Sequence, residues 1–94
     1  MPPIQFEWDP IKNAANYIKH GIPFAAAKDV FADPNWILYP SKQVDNEERS
    51  TIVGKYGSRI IAVIYTHRPG KIRIISARAT RRKERQQYGS PHHG

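Results

Sequence analysis

Three apolar runs separated by very short polar links constrain the fold of this chain more than any other feature. The runs and links are RSTIVGKY (49–56), Gly57-Ser58, RIIAVIYTH (59–67), RPGK (68–71) and KIRIISAR (71–78). Links this short cannot hold a crossover helix, so they predict an antiparallel meander of three strands. The middle run is continuously apolar from Ile60 to Tyr65, which is typical of a central strand covered on both faces.

The residues that precede the meander predict a strand and then a helix. Residues 4–8 (IQFEW) alternate between apolar and polar side chains and indicate a short strand. Asp9 followed by Pro10 is a strong helix start, and Gly21 suits the position just after the end, so the helix should run from Pro10 to about His20. Its two sides differ in polarity: one carries Ile11, Ala14, Ala15 and Ile18, and the other carries Asn13, Asn16, Tyr17 and His20.

The remaining segments complete an α+β pattern. A second helix should run from Pro23 to Asp33, where Asp33-Pro34 closes it. Residues 35–40 indicate a short strand or an extended segment, 41–48 a polar connection, and 80–88 a basic helix with Thr80 as a weak N-cap candidate. The predicted fold is an α+β domain of order β-α-α-β-β-β-α, with the helices on one side of an antiparallel sheet.

Length and residue usage restrict the class of protein. The 94 residues suffice for one domain, predicted over 1–88 and followed by a flexible tail over 89–94. Cysteine is absent, which excludes a disulfide framework and a thiolate nucleophile. The chain lacks the pattern of a signal peptide and any apolar run near the ~18 residues of a membrane span, so a cytoplasmic location is expected.

The positive charge is concentrated in the second half of the chain. Residues 1–47 carry four Lys/Arg against six Asp/Glu, whereas residues 48–94 carry eleven against two, within a net charge of +7. The segment RIISARATRRKER (73–85) alone holds six basic residues. Such a one-sided field favours polyanions, chiefly nucleic acid. A solvated basic surface and an acidic protein partner are the alternatives.

Several side chains are candidates for a site on RNA. Arg73 within the last strand and Arg78 at its end suggest a polar groove on one sheet face, which Tyr65 can share for base stacking. Lys19 and His20 close the first helix, where they either offset the helix dipole or transfer protons.

No sequence pattern indicates a metal or a cofactor, and none is predicted. There is no phosphate-binding glycine loop, no nucleophile elbow and no cluster of acids for two-metal catalysis. A nuclease of this composition would use attack by the RNA 2′-hydroxyl on the adjacent phosphate, which leaves a cyclic phosphate.

Four sequence blocks together resemble the BrnT family of type II toxin–antitoxin toxins. The blocks are FEWDPIK, KHG, EER and RIISAR, within a similarity that spans residues 6 to 88. The resemblance implies a RelE-like ribonuclease fold and a toxin that blocks translation by cutting mRNA. It also implies neutralisation by a BrnA-type antitoxin, a dimeric DNA-binding protein through which the complex represses its own operon.

The resemblance also implies which residues form the site. The polar positions matching the family are the catalytic candidates Lys19, His20, Arg49, Arg68, Arg78 and Glu84. The RNA-binding candidates on and beside the predicted strands are Lys55, Arg59, Tyr65, His67, Arg73, Arg81 and Arg82. Two alternative functions explain the positive charge without RNA cleavage. One is a non-catalytic RNA- or protein-binding module, and the other is a toxin of similar fold that poisons a protein target such as a topoisomerase.

Overall fold

A five-stranded sheet organises residues 4–88, which are the residues that the computed structural model describes. The strands are β1 (Gln5–Glu7), β2 (Ile37–Val44), β3 (Glu47–Tyr56), β4 (Arg59–Arg68) and β5 (Lys71–Ala79). The helices are α1 (Pro10–His20), α2 (Ala27–Ala32) and α3 (Arg82–Gln87), with a 3₁₀ turn at Phe24–Ala26 before α2. The α+β class is confirmed, and the expected tail over 89–94 lies outside the described residues.

The predicted meander is confirmed. The sheet order is β1-β5-β4-β3-β2, and β4 pairs antiparallel with both β3 and β5. Ile61, Ala62 and Val63 in the middle of β4 are fully buried, because helices or side chains cover both faces there. Gly57 and Gly70 adopt positive φ angles in the two tight turns, a conformation that glycine takes without steric cost.

The two outer strands correct the sequence prediction. β1 pairs with β5 in parallel, so the sheet is mixed rather than wholly antiparallel. β2 extends from Ile37 to Val44 and forms a hairpin with β3, instead of ending at Pro40 before a polar connection. The turn of this hairpin is Asp45-Asn46, with φ angles of 51° and 62°, which are the positive values that a two-residue hairpin turn requires.

The bounds of α1 match the prediction, whereas those of α2 do not. Asp9 caps α1 by accepting a hydrogen bond from the Ile11 N–H, and Gly21 closes it with φ of 70°. Because Pro23 is extended, residues 24–26 form a 3₁₀ turn and the regular part of α2 is only six residues long. No helix in the described part of the chain is long and apolar enough to span a membrane.

Asn16 is the residue by which α1 attaches to the sheet. Its side-chain amide donates to the carbonyls of Ile22 (3.0 Å) and Ala77 (2.8 Å), and its oxygen accepts from the Ala77 N–H (3.2 Å) and the Ser76 hydroxyl (3.3 Å). β1 pairs with only the first three residues of β5, and the Asn16 amide replaces a strand partner at Ala77. The buried amide therefore satisfies backbone groups that would otherwise lack a partner.

The third helix also corrects the prediction, because the helices do not all lie on one side. The core beneath α1 and α2 contains Phe24 and Val30, whereas Tyr88 at the end of α3 packs with Val53 and Ala62 in a separate cluster on the other face. α3 begins at Arg82, and the hydroxyl of Thr80 bonds to the Ile60 carbonyl instead of capping the helix.

We expect Asn16→Ala to lower the free energy of unfolding by about 2–4 kcal/mol, since it leaves two carbonyls and one amide of the buried backbone without partners. Urea denaturation followed by circular dichroism measures this. Gln43→Ala removes an exposed amide from β2 and should cost under about 0.5 kcal/mol. Equal losses in the two variants would contradict the role assigned to Asn16.

Candidate functional site

A groove of about 630 Å³ lies between α3 and the sheet face opposite α2. Five cationic side chains line it: Lys42, Arg49, Arg78, Arg81 and Lys83. Glu84 is the only carboxylate among the described residues that line it, and the remaining wall is formed by Tyr39, Pro40, Ser41, Val44, Thr51 and Ile64. We call this feature the basic groove; its charge suits a polyanion.

A β-bulge directs Arg78 into the basic groove. β5 contains one extra residue, Ile75, at which its register with β4 shifts. Before the bulge Ile72 and Ile74 belong to the core beneath α1 and α2, and after it Ala77 does. Because a shift of one residue exchanges the two faces of a strand, Arg78 points to the opposite face.

Arg78 is held in place by Glu84. Its two terminal nitrogens each donate to one carboxylate oxygen of Glu84 at 2.9 Å, and the backbone N–H of Arg81 donates to the same carboxylate at 2.7 Å. These hydrogen bonds, those from Arg78 foremost, lower the pKa of Glu84 and raise that of Arg78. Glu84 is therefore an ionised group that positions Arg78 and fixes the start of α3.

Arg49 lines the groove and forms no close ion pair with the described residues. It pairs with Lys42 in the β2–β3 hairpin, so the two side chains share the groove face. The nearest carboxylate oxygen, on Glu47, is 3.8 Å away. The Nε of Arg49 is buried and has no hydrogen-bond acceptor within residues 4–88. A buried donor in this state is costly unless a bound group accepts from it.

Two tyrosines anchor α3 above the sheet. The hydroxyl of Tyr88 donates to the buried carboxylate of Asp33, and that of Tyr39 donates to Gln87. Burial, together with the Asp33 contact, raises the pKa of Tyr88 to about 12, so Tyr88 remains a neutral donor at physiological pH. These contacts hold Arg81, Lys83 and Glu84 over the groove.

Some sequence candidates do not line the basic groove. Lys19 and His20 close α1 and are not among the residues that line it. Tyr65 is only 5% exposed and packs edge-on against Phe31 in the core beneath the helices, instead of sharing a groove with arginines. The reason is the pleat: Tyr65 has the same face as Ile61 and Val63.

Other candidates lie elsewhere on the surface. His67 and Arg68 border a smaller, acid-containing pocket of about 370 Å³ near the β2–β3 turn. Arg73 donates to Glu7 at 2.8 Å across the β1–β5 pair, while Lys55, Arg59 and Arg82 are exposed outside the groove. Within residues 4–88, no three His, Asp or Glu side chains are grouped so that they could hold a metal ion.

Tyr39, Lys42 and Lys83 line the basic groove without being among the candidates that the sequence indicates. The sequence does contain a signal that could have placed Tyr39 and Lys42 on a strand of the groove. This signal is Asp45-Asn46, a pair of residues suited to the positive φ angles of a hairpin turn. Recognising that turn would have extended β2 and placed Lys42 opposite Arg49. No comparable signal points to Lys83, whose position depends on the packing of α3.

Comparison with known proteins identifies one family. Residues 8–84 match the family model described as "Ribonuclease toxin, BrnT, of type II toxin-antitoxin system". The match covers four of the five strands, α1 and α2 and the residues that line the basic groove. No curated protein sequence matches the chain.

We expect Glu84→Gln to destabilise the protein at pH 7 by about 1–3 kcal/mol, since it removes the charge that binds Arg78. The folded pKa of Glu84 lies below its ordinary 4.5, so the difference between wild type and variant should be complete above pH 4.5 and shrink as the pH falls through the lowered value. Denaturation curves from pH 7 to pH 3 measure it, with Glu48→Gln as the exposed control. A difference that stays constant with pH would refute this assignment.

Proposed function

Because this chain belongs to the BrnT family of ribonuclease toxins of type II toxin–antitoxin systems, we propose that the basic groove is its RNA-cleaving site. One observation carries the proposal: Arg49 lies in the same groove as Arg78, which Glu84 holds in a fixed orientation through two hydrogen bonds. The Arg49 side chain is 27% exposed, so an RNA phosphate in the groove can contact it and several other cations at once.

The reaction proposed is cleavage through the RNA's own 2′-hydroxyl, without a metal ion. The 2′-oxygen forms a bond to the adjacent phosphorus as the bond from phosphorus to the 5′-oxygen breaks, leaving a 2′,3′-cyclic phosphate and a 5′-hydroxyl. The pentacoordinate phosphorus of the transition state carries additional negative charge. Arg78 and Arg49 stabilise that charge, and Arg78 does so from a position prepared before the RNA binds.

Proton transfer in the groove is assigned to two residues that were not among the candidates from the sequence. The side chains of Lys42 and Lys83 are the groove's candidates for proton transfer: one, as a neutral amine, takes the proton of the 2′-hydroxyl, and the other, as an ammonium, gives a proton to the leaving 5′-oxygen. Glu84 is fully engaged with Arg78 and Arg81, so its proposed role is to position Arg78. For Lys19 and His20, which do not line the groove, a part in the reaction stays a sequence prediction.

Cationic residues outside the groove can contact RNA that extends beyond it. Arg81 extends the groove, and Lys55, Arg59, His67, Arg73 and Arg82 remain predicted RNA contacts. Arg68, which lies outside the groove lining, remains a predicted catalytic residue. We propose that the chain cleaves mRNA in the cytoplasm and thereby stops translation, as a RelE-like nuclease. A BrnA-type antitoxin would neutralise it, and the complex would bind its operator DNA through the antitoxin.

We expect Arg49→Ala and Arg78→Ala to reduce RNA cleavage by about 10²-fold or more, since each removes a cation from the transition state. The assay uses purified, antitoxin-free protein and end-labelled RNA in EDTA, and it identifies the cyclic phosphate on the products. Arg49→Ala tests the proposal more directly than Arg78→Ala does, because it leaves no buried carboxylate unpaired. Arg78→Ala removes the hydrogen-bond partner of Glu84. Lys28→Ala, an exposed cation on α2, should cleave within about twofold of wild type.

Three results would contradict the proposal in different ways. Wild-type activity in both arginine variants would place the site elsewhere. Cleavage of RNA whose 2′-oxygens are methylated would exclude the 2′-hydroxyl as nucleophile. RNA that is bound but stays intact, both alone and in a translating extract, would instead support a non-catalytic RNA-binding module.

Binding to 2′-O-methylated RNA should depend on salt in proportion to the phosphates contacted. Each contact contributes roughly −0.7 to the slope of log K against log salt, so the five groove cations predict a slope approaching about −3.5. Lys42→Ala should reduce its magnitude by about 0.7, and Lys28→Ala should leave it unchanged. Fluorescence anisotropy between 50 and 300 mM salt, roughly, measures these slopes; a slope unaffected by Lys42→Ala would remove that residue from the RNA path.

A further inference from the structure

Helix α1 turns its apolar side away from the protein. Ile11 is 80% exposed and Ile18 is 85% exposed, and Ala14 and Ala15 between them are exposed as well. The opposite side holds the buried Asn16, so this orientation is fixed by hydrogen bonds to the sheet. We call these four residues the apolar stripe. Two isoleucines seven residues apart with small alanines between them suit close packing against another helix.

The borders of the stripe differ in charge. Lys12 and Lys19, seven residues apart, lie along one border, and Tyr17, which is 57% exposed, lies along the other. Asp9, which caps the helix, precedes it, and α1 itself contains no acidic residue. A helix packed on the stripe would therefore meet positive charge along one side only.

This charge pattern disfavours antiparallel packing of α1 against a second copy of the same chain. Two antiparallel copies of α1 would place the lysine borders side by side, so that four lysines share one seam. Like charges in such positions are destabilising, and two chains of net charge +7 repel each other further. A partner helix that carries acidic residues along that seam is attracted to the lysines, whereas a second copy of this chain is repelled by them.

We propose that the apolar stripe is a docking surface for the antitoxin, which contributes an amphipathic helix. The inference rests on the proposed function, since a type II system supplies a protein partner. The antitoxin helix places apolar side chains on Ile11 and Ile18, and it carries Asp or Glu seven residues apart opposite Lys12 and Lys19. Because none of the four stripe residues lines the basic groove, docking and cleavage depend on different residues.

The test measures antitoxin affinity and RNA cleavage separately. Titration calorimetry with the purified cognate antitoxin should show a Kd raised at least tenfold by Ile18→Lys or Ile11→Lys, and about threefold by Lys12→Glu. Ile4→Lys changes another exposed isoleucine, outside the stripe, and should leave the Kd within about twofold. RNA cleavage by each free variant should equal that of the wild type.

Each other outcome has a distinct meaning. An unchanged Kd in both isoleucine variants overturns the docking proposal, as does a wild-type chain that cleaves RNA but does not bind the antitoxin. A free wild-type chain that sediments as a dimer, and as a monomer after Ile18→Lys, makes the stripe an interface between copies and also overturns it. Loss of affinity in the stripe variants of a chain without RNase activity upholds the docking surface and overturns the proposed function instead.

Discussion

The hydrogen bonds between Asn16 and β5 connect the two halves of this molecule. β1 pairs with β5 only as far as Arg73, and beyond that point the outer edge of β5 needs other partners. The Asn16 amide bonds to both the N–H and the C=O of Ala77, as a neighbouring strand would, immediately after the bulge and immediately before Arg78. One amide therefore fixes both the position of α1 and the part of β5 that carries Arg78.

This arrangement explains why α1 is polar inside and apolar outside. A helix that attaches to a sheet edge through an amide must turn its polar side inward, and its aliphatic side chains are then left facing solvent. Ile11 and Ile18 contribute nothing to the core in this position. The same constraint that completes the sheet therefore creates the apolar stripe, and the fold and the proposed partner surface have a common origin.

The basic groove depends on holding repelling charges together. Lys42 and Arg49 come from the β2–β3 hairpin, Arg78 from β5, and Arg81 and Lys83 from α3 or its cap. Glu84 offsets part of this charge and, with the hydrogen bond from Tyr88 to Asp33, keeps the short α3 on the sheet. A six-residue helix is too short to be stable alone, so these tertiary contacts determine where its cations lie.

The sequence alone determined the elements whose causes are local. Asp9-Pro10 and Gly21 define α1, the two short links define the meander, and the apolar run of β4 makes that strand central, since capping, turn geometry and side-chain periodicity act over a few residues. The blocks around Arg49 and Arg78 also indicated the family.

Only the tertiary structure decided which faces these elements present. The parallel pairing of β1, the bulge at Ile75 and the inward side of α1 all depend on backbone groups far apart in the chain that must find hydrogen-bond partners. These long-range requirements placed Arg78 in the groove and Tyr65 in the core, and they left His20 outside the groove lining.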